Sequence, residues 1–472
     1  MWKQLIAAAS LLCVLAGSIV GQKQYPRRGV QTPDTFRAGE SFGRDQASIG
    51  DLKWFEVFKD EELRKLIRTA IIQNYDLREA AARINAARAN LGLARSDQFP
   101  QFELSANDTV SRFSQNSVNI AGPGQAVGKT RSVGEVLLNL LSFELDIWGR
   151  LRNRTKAFRA ELKASEEDRR AAMTTVVGDV ATGYFSLLEL DGELDIARRT
   201  LSTREQSLRL IKTREQGGVA TMLDVRQAEQ LVYQASETIP ATEQLIEQTE
   251  NQISLLTANN PGPIRRGRSL TQQEELPAVP PGLPSSLLER RPDIRSAEQI
   301  LISRNALIKV ARASYFPTIS LTGLLGFQSD QLSNLFSRGS RTWTFVPELT
   351  QPIFTAGRLK SNVRFARADQ EAALVAYQRT IQTAFREVSD ALIAYRKVKE
   401  VRIQQELLVT SLIDRSRLAY LRYEGGVDTY LNALDADRDL FSAELNLNLT
   451  RRNELLSLVQ LYKALGGGWQ QG

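Results

Sequence analysis

Three residues near the carboxyl end combine an apolar, an acidic and a basic side chain at helical spacing. Leu431, Asp435 and Arg438 lie at positions i, i+4 and i+7, so a helix places them on one face. The carboxylate and the guanidinium can form a charge-assisted hydrogen bond beside the leucine. The common alternative for such charges is an ordinary solvated helix face. The pattern predicts a contact surface or a solvated surface, and it indicates no reaction.

Histidine and cysteine, two residue types common in catalytic and metal sites, are almost absent from this sequence. It contains no histidine, the commonest general base and metal ligand, and a single cysteine, Cys13. Residues 122–130 end in Gly-Lys-Thr, but Pro123 stands where a phosphate-binding loop requires glycine. We therefore expect no catalytic residue, no metal site and no cofactor, and we predict that the protein is not an enzyme.

The first 18 residues have the pattern of a secretory signal. Lys3 precedes an apolar run from Leu5 to Ala16, and Ala16-Gly17-Ser18 is a small-residue cleavage site. Ser18 stands where a bacterial lipoprotein has its lipidated cysteine, so we expect an exported chain without a lipid anchor. Because no later stretch offers about 18 consecutive apolar residues, no transmembrane helix is predicted.

Composition and charge indicate a folded protein with long uninterrupted elements. Of the 472 residues, 42% are hydrophobic, 24% are charged and only 15 are proline. The net charge of +7 is distributed as arginine among glutamate and aspartate on predicted helices. This distribution is typical of a solvated surface, so we expect no nucleic-acid partner.

The elements that carry these residues occur twice in the chain. Residues 76–78 recur as 293–295, an offset of 217, while 149–151 recur as 357–359 and 217–219 as 425–427, both at an offset of 208. A duplication of this length indicates one supersecondary unit used twice, with faces that complete each other. Function should therefore depend on how the two copies assemble.

Each copy is predicted to begin with a helix and two strands. The helices are expected over about 63–94 and 292–314, and each ends shortly before a Phe-Pro pair. Strands follow where apolar and polar residues alternate, at 102–107 and 141–147 in the first copy and at 318–322 and 342–345 in the second. A loop is expected between the first two strands, over 116–129.

A long helical hairpin completes each copy. The proline-free run 149–215 predicts a rod of roughly 100 Å, followed by a returning helix over 222–256 that Pro240 should kink. Seven-residue spacing typical of a coiled coil is found at Met173, Val180, Leu187, Leu194, Leu201 and Leu208, and again at Leu374, Ile381, Val388 and Tyr395. The predicted hairpin tips are Gly217, Gly218 and Val219 in the first copy and Gly425, Gly426 and Val427 in the second.

The number of strands limits what one chain can form. Strands of about 9–11 residues can cross a bilayer when tilted, but four strands cannot close a barrel and open edges are not tolerated in lipid. If these strands span a membrane, several chains must pool them. Short alternating strands also occur in soluble sheets, and long helical hairpins occur in scaffolds that transport nothing.

The predicted organisation has six segments. They are a signal peptide at 1–18, an extended N-terminal arm at 19–62, the first repeat at 63–258, a linker at 259–286, the second repeat at 287–466 and a C-terminal tail at 467–472.

Several motifs in this plan resemble those of the outer-membrane factor family, the TolC-like proteins, and most closely its OprM branch. They are Leu-Leu-Glu-Arg-Arg-Pro-Asp-Ile at 287–294, Tyr-Phe-Pro-Thr-Ile-Ser-Leu at 315–321, Pro-Ile-Phe at 352–354 with Gly-Arg at 357–358, and Ala-Leu-Gly-Gly-Gly-Trp at 464–469. The resemblance covers nearly the whole chain from Tyr25 onward. It implies a homotrimer with a twelve-stranded outer-membrane barrel, a periplasmic helical tunnel and a mixed belt around the tunnel.

The same resemblance assigns roles to the residues noted above. It implies that Leu431, Asp435 and Arg438 form rings that close the periplasmic end. It further implies that the tips at 217–219 and 425–427 meet a periplasmic adaptor (membrane fusion) protein. The partners would be that adaptor, an inner-membrane efflux pump and outer-membrane lipid.

The function implied is a passive duct that exports small toxic compounds as part of a tripartite efflux system. A duct for type I protein secretion is the alternative within the family, because the same architecture can serve another inner-membrane machine. A periplasmic coiled-coil scaffold is the alternative from another class, since it would explain the seven-residue repeats without the strands.

Overall fold

The computed structural model describes residue 36 and residues 48–112, 130–273 and 284–469. The predicted leader, with Cys13 and Ser18, and the predicted loop over 116–129 lie outside the described residues. The same holds for most of the predicted arm and part of the linker.

The described helices fall into two similar sets. The first set is α1 (Trp54–Val57), α2 (Glu61–Gln73), α3 (Tyr75–Ser96), α4 (Arg150–Gln216) and α5 (Met222–Leu256), and the second is α6 (Pro284–Arg290), α7 (Pro292–Ala313), α8 (Arg358–Glu424) and α9 (Tyr430–Ala464). The strands are β1 (Phe102–Arg112), β2 (Thr130–Glu144), β3 (Thr318–Ser329) and β4 (Arg341–Thr350).

Equivalent helices of the two repeats have equal lengths. α4 and α8 have 67 residues each, α5 and α9 have 35 each, and α3 and α7 have 22 each. At about 1.5 Å per residue, α4 and α8 are rods of roughly 100 Å. α5 returns along α4 and α9 returns along α8, while α4 also packs against α3, α7 and α9. α5 is one continuous helix that includes Pro240.

The helix predicted over 63–94 is interrupted, which is a correction to the sequence-based expectation. Asn74 separates α2 from α3, and its Oδ1 accepts hydrogen bonds from the backbone N of Asp76 at 2.9 Å and of Leu77 at 3.2 Å. Its Nδ2 also donates to the carbonyl of Leu256 at 2.9 Å. This N-cap arrangement favours a new helix start at Tyr75. The end of the predicted arm is likewise helical, because α1 and the start of α2 lie before residue 63.

The described strands form one antiparallel sheet in the order β1-β2-β3-β4. β2 lies earlier than predicted, since the expected strand at 141–147 continues past its true end at Glu144. Beyond that point, the Asp146 carboxylate accepts hydrogen bonds from the backbone N of Leu151 at 3.0 Å and of Arg152 at 2.8 Å. Residues 145–148 therefore form the connection that caps α4 instead of continuing the strand.

The sheet leaves large apolar side chains uncovered. Trp343 in β4 is 75% exposed and Leu104 in β1 is 71% exposed. Both strands are edge strands, so each has one side without a neighbour among the described strands. A sheet with these edges and this apolar surface requires further strands and an apolar environment.

The seven-residue repeats lie in the helical core. Val180, Leu187, Ile381 and Val388 are fully buried, which confirms the predicted seam. α4 contains an 18-residue window with mean hydropathy 1.2, which is long and apolar enough to cross a membrane, but 67% of that window is buried inside the protein. Its burial identifies this apolar stretch of α4 as part of the core.

A second layer, here called the belt, covers the middle of α4. It consists of α1, α2, the segment 264–273 and the C-terminal residues 465–469, which all pack in or beside one hydrophobic core. Asp60 joins its parts, since its carboxylate accepts hydrogen bonds from the Tyr184 hydroxyl at 3.1 Å and the Arg268 backbone N at 3.0 Å. The belt therefore fixes the first repeat to the linker and the C-terminus at mid-length.

Candidate functional site

The candidate site is the end of the two hairpins, roughly 100 Å along α4 and α8 from the sheet. Gly218 and Gly426 reverse the chain there with φ of 74° and 73°, in the left-handed region that favours glycine. In each tip the following valine N donates to a helix carbonyl, at 2.9 Å for Val219 and Arg214 and at 3.0 Å for Val427 and Arg422. The predicted turns at both glycine pairs are therefore present.

The two tips are closed by different side chains. In the first, Thr221 and Asp224 form a capping box, with the Thr221 N donating to Asp224 Oδ2 at 2.8 Å. In the second, the Asp428 carboxylate accepts hydrogen bonds from Asn432 Nδ2 at 2.6 Å, the Thr429 N at 2.8 Å and Arg422 Nε at 3.1 Å. The hydrogen bond from Asn432, followed by those from Thr429 and Arg422, lowers the pKa of Asp428.

The predicted contact residues lie together on an exposed face of α9, just beyond the second tip. Arg438 Nη2 is 3.1 Å from Asp435 Oδ1 and 3.7 Å from the Asp439 carboxylate. Leu431 is 50% exposed, and the side chains of Asp435 and Arg438 are 36% and 59% exposed. A single protomer therefore presents an apolar side chain and a charge-paired carboxylate to its surroundings at this end.

A family model described as Outer membrane efflux protein matches residues 66–259 and 283–467. The chain belongs to the outer membrane efflux protein family. It is 38% identical to the outer membrane protein OprJ of Pseudomonas aeruginosa over 466 residues, covering 98% of this chain and 96% of that relative. It is 35% identical to the toluene efflux pump outer membrane protein TtgC of Pseudomonas putida over 476 residues, covering 100% of this chain and 97% of the relative.

Solved structures give the same result. The open state of the Neisseria gonorrhoeae MtrE outer membrane channel superposes with a TM-score of 0.84 at 32% identity, covering 96% of this chain and 98% of MtrE. A membrane protein from Pseudomonas aeruginosa superposes with a TM-score of 0.86 at 36% identity, covering 94% of this chain and 99% of that one.

These matches confirm the predicted family, fold class and location. The four strands of this efflux protein belong to a twelve-stranded transmembrane barrel built by three chains, and the helices form the periplasmic tunnel. The protein is an outer-membrane efflux channel, and the coiled-coil scaffold is not supported. Its family consists of efflux proteins, and the absence of catalysis stays a prediction.

A buried ion pair near the channel's lower end was not predicted from the sequence. Arg204 Nε in α4 lies 2.7 Å from Asp437 Oδ2 in α9, and the two side chains are only 3% and 9% exposed. Arg204 Nη1 also donates to the Leu231 carbonyl of α5 at 2.9 Å, and its guanidinium lies 4.9 Å from the centroid of the Phe441 ring. One arginine of the first hairpin thus binds both α5 and the second hairpin.

An aromatic and aliphatic cluster surrounds this end of the hairpins. Ile211 and Val225 of the first hairpin pack with Tyr423, Tyr430 and Leu434 of the second. The Arg214 guanidinium lies 4.6 Å from the Tyr423 ring centroid, and burial raises the pKa of the Tyr430 hydroxyl. Both hairpins of one protomer are therefore joined near the tips by a core and an ion pair, while the Leu431–Asp435–Arg438 face stays outside that core.

Sequence pattern offers no local signal for the ion pair. Its partners are 233 residues apart, and each is one of many charged residues on long helices. The distinguishing feature is burial, which depends on the packing of α4 against α9.

Proposed function

We propose that the Leu431–Asp435–Arg438 face forms the periplasmic gate of this efflux channel and that the hairpin tips dock on a periplasmic adaptor. The observation that carries the proposal is the exposure of this face at the hairpin end, outside the core that joins the two hairpins. In a homotrimer each of these residues occurs three times around the axis. Three leucines and three carboxylate–arginine pairs would then meet at the narrow end.

Charge balance favours closure by such rings. Three bare carboxylates facing one another would repel, but Arg438 lies 3.1 Å from Asp435 and neutralises it. The arginine also has further donors with which to bind the carboxylate of a neighbouring protomer. A gate held by such bonds and by leucine packing can open when a force from outside the channel separates the hairpins.

The first hairpin lacks this pattern at equivalent positions. Subtracting the repeat offset of 208 from 431, 435 and 438 gives Leu223, Gln227 and Gln230, which carry no charge. We therefore assign gating to the second hairpin alone.

Exposed apolar residues at both tips support an adaptor contact. Val219 and Val427 are 68% and 67% exposed, and Met222 and Leu223 beside the first tip are 52% and 66% exposed. Apolar side chains clustered at the end of a long helical hairpin are typical of a protein-binding surface. The adaptor would in turn link the channel to an inner-membrane efflux pump that supplies the energy.

The cargo we propose is small toxic compounds. Relatives are named as antibiotic, solvent and toluene efflux pump outer membrane proteins. In a passive duct, cargo contacts only a wide lumen, so selectivity would lie mainly with the inner-membrane pump.

Single-channel conductance in a planar bilayer tests the gate. Asp435→Ala should open the purified trimer, giving currents several-fold larger and longer than the small, flickering ones expected of the wild type. Gln227→Ala, the equivalent change in the first hairpin, is the matched control and should behave like the wild type. Equal currents from Asp435→Ala and the wild type would remove Asp435 from the gate.

Site-directed crosslinking tests the adaptor contact separately. Cys13 is the single cysteine and lies in the predicted leader, so a cysteine placed at Val219 or Val427 can be labelled alone. Both variants should crosslink to the adaptor in cells, whereas Leu104→Cys in the sheet should not. Crosslinking that is no stronger at the tips than in the sheet would contradict docking there.

A further inference from the structure

A basic cavity lies at the opposite end of the tunnel, just below the sheet. It has a volume of about 590 Å³ and is lined by Arg152, Lys156, Arg159 and Lys163 of α4, together with Gln98 and Gln299. The lining contains no carboxylate. We propose that this cavity binds the phosphate headgroup of an anionic phospholipid from the periplasmic leaflet of the outer membrane.

Three of the four cations are free to bind an anion. Arg152 is paired with the Asp146 carboxylate, at 3.2 Å from Nε to Oδ2. Lys156, Arg159 and Lys163 have no ion-pair partner among the described residues. On this face of α4 the first carboxylate below them is that of Glu166, so positive charge predominates in the cavity.

The height of the cavity matches the headgroup layer. Trp148 stacks on Phe316 with ring centroids 4.7 Å apart, and both rings are partly exposed where the sheet meets the helices, as in an aromatic girdle. Arg159 lies nine residues into α4, about 14 Å along the helix. Lysine and arginine side chains extend toward a membrane surface. Arg152, Lys156 and Arg159, the three cations nearest the sheet, can therefore reach a headgroup layer roughly 5–8 Å thick.

The cavity opens on the outside of the tunnel. Lys163 and Arg170 are seven residues apart and share a face of α4, and the Arg170 guanidinium lies 5.2 Å from the ring centroid of Trp469 in the belt. If the belt lay inside the tunnel, its three copies in the trimer would fill the lumen of an efflux channel. The belt and this face of α4 therefore lie on the outside of the tunnel. Neighbouring protomers do not cover the cavity either. It lies between α4 and α7, which are flanked within the helical layer of the same protomer by α3 and α8.

The second repeat carries the same basic pattern. Adding the offset of 208 to 152, 156 and 159 gives Lys360, Arg364 and Arg367, which are all exposed at the start of α8. The position equivalent to Lys163 is Glu371, so the second cluster is shorter. In a trimer, two clusters per chain would form a basic collar directly beneath the membrane, where anionic lipid is attracted to polybasic surfaces.

Native mass spectrometry of the full-length, detergent-solubilised trimer tests the proposal. The probes are phosphatidylglycerol and phosphatidylethanolamine, which share a phosphate and differ in net charge. We expect the wild type to retain phosphatidylglycerol in preference. The variant Lys156→Gln/Arg159→Gln/Lys163→Gln should bind it at least about tenfold more weakly. A control, Arg209→Gln/Arg396→Gln/Lys399→Gln, removes three exposed cations from lower parts of α4 and α8 and should keep the preference.

Three outcomes would overturn the proposal. The first is equal retention of the two lipids by the wild type, and the second is an equal loss of phosphatidylglycerol in the cavity variant and the control. The third is displacement of the bound lipid by millimolar inorganic phosphate, which would identify a free-anion site instead of a lipid site. A variant that still runs as a trimer but has lost the preference would support the proposal, and this result is independent of the gate.

Discussion

The first hairpin, α4–α5, and the second, α8–α9, have the same helix lengths but use equivalent positions differently. Arg204 in α4 corresponds to Leu412 in α8, which packs in a small apolar cluster with Val409, Ala443 and Leu447. Asp437 in α9 corresponds to Glu229 in α5, which pairs with Lys212 at 3.0 Å and Arg226 at 2.7 Å within its own hairpin. Ion pairs therefore link α4 to α5 within the first hairpin and link α4 to α9 of the second hairpin.

This difference shows how a duplicated scaffold can acquire separate roles. Turn glycines, helix lengths and tip geometry are shared, because both copies must reach the same depth. The charged pattern of the second hairpin, with Asp437 facing the first hairpin and Asp435 facing outward, is found in one copy only. A few substitutions on a retained backbone are enough to distinguish the face that joins the hairpins from the face that we propose as the gate.

Breaking the buried pair should have the largest effect. Asp437→Leu leaves Arg204 buried without its partner, which should cost about 3–5 kcal/mol of stability. Adding Arg204→Leu, which copies the leucine of the second repeat, should recover most of the loss because an apolar pair fits an interior as well as an ion pair. Thermal unfolding of the trimer measures both.

The matched control is Glu229→Leu in the first hairpin. Its partners are exposed arginine and lysine side chains, so its melting temperature should change far less than that of Asp437→Leu. Similar losses in the two hairpins would show that burial of the Arg204–Asp437 pair does not distinguish them.

Alanine at the left-handed glycines should have a moderate effect that is equal in the two hairpins. A Cβ added at Gly218 or Gly426 would meet no atom within 4 Å, so the cost is that of the backbone conformation alone, about 1 kcal/mol. Gly425→Ala, at φ of −77°, should be neutral or slightly stabilising. Tip opening measured by hydrogen exchange would reveal any inequality between the hairpins.

Acidification should have the smallest effect, which we expect at the second tip. The folded-state pKa of Asp428 is lowered, so its bonds stabilise the tip fully above the ordinary carboxyl pKa and are lost as pH falls through the folded value. In the wild type, protection of the amides near Val427 from hydrogen exchange should therefore fall below about pH 4, whereas in Asp428→Asn this dependence on pH should be lost. Protection that stays constant from pH 7 to pH 3 in the wild type would contradict this.

Sequence periodicity was sufficient for most of the architecture. The glycine tips and the proline-free run located the two long helices of the first hairpin within one residue, and the duplication placed two more long helices on either side of Gly425 and Gly426. The errors at Asn74 and at the end of β2 have a common cause. In both, one side chain caps a helix and so ends or redirects an element that the apolar pattern would continue.

The candidate site was predictable only in part. Leu431, Asp435 and Arg438 share a helix face, so their spacing along the chain was enough to group them. The Arg204–Asp437 pair and the basic cavity depend on contacts between helices distant in sequence, which spacing does not report. The basic residues of α4 became informative only when the packing showed which face lies outside.

The open edges of the sheet have a genetic consequence. Because β1 and β4 must each pair with another chain, a barrel containing one faulty edge strand is faulty as a whole. In a cell that makes equal amounts of normal and edge-defective chains, only roughly one trimer in eight would contain three normal copies. A lesion in either strand would therefore act dominantly over the intact gene, whereas a lesion that prevents the chain from reaching the membrane would remain recessive.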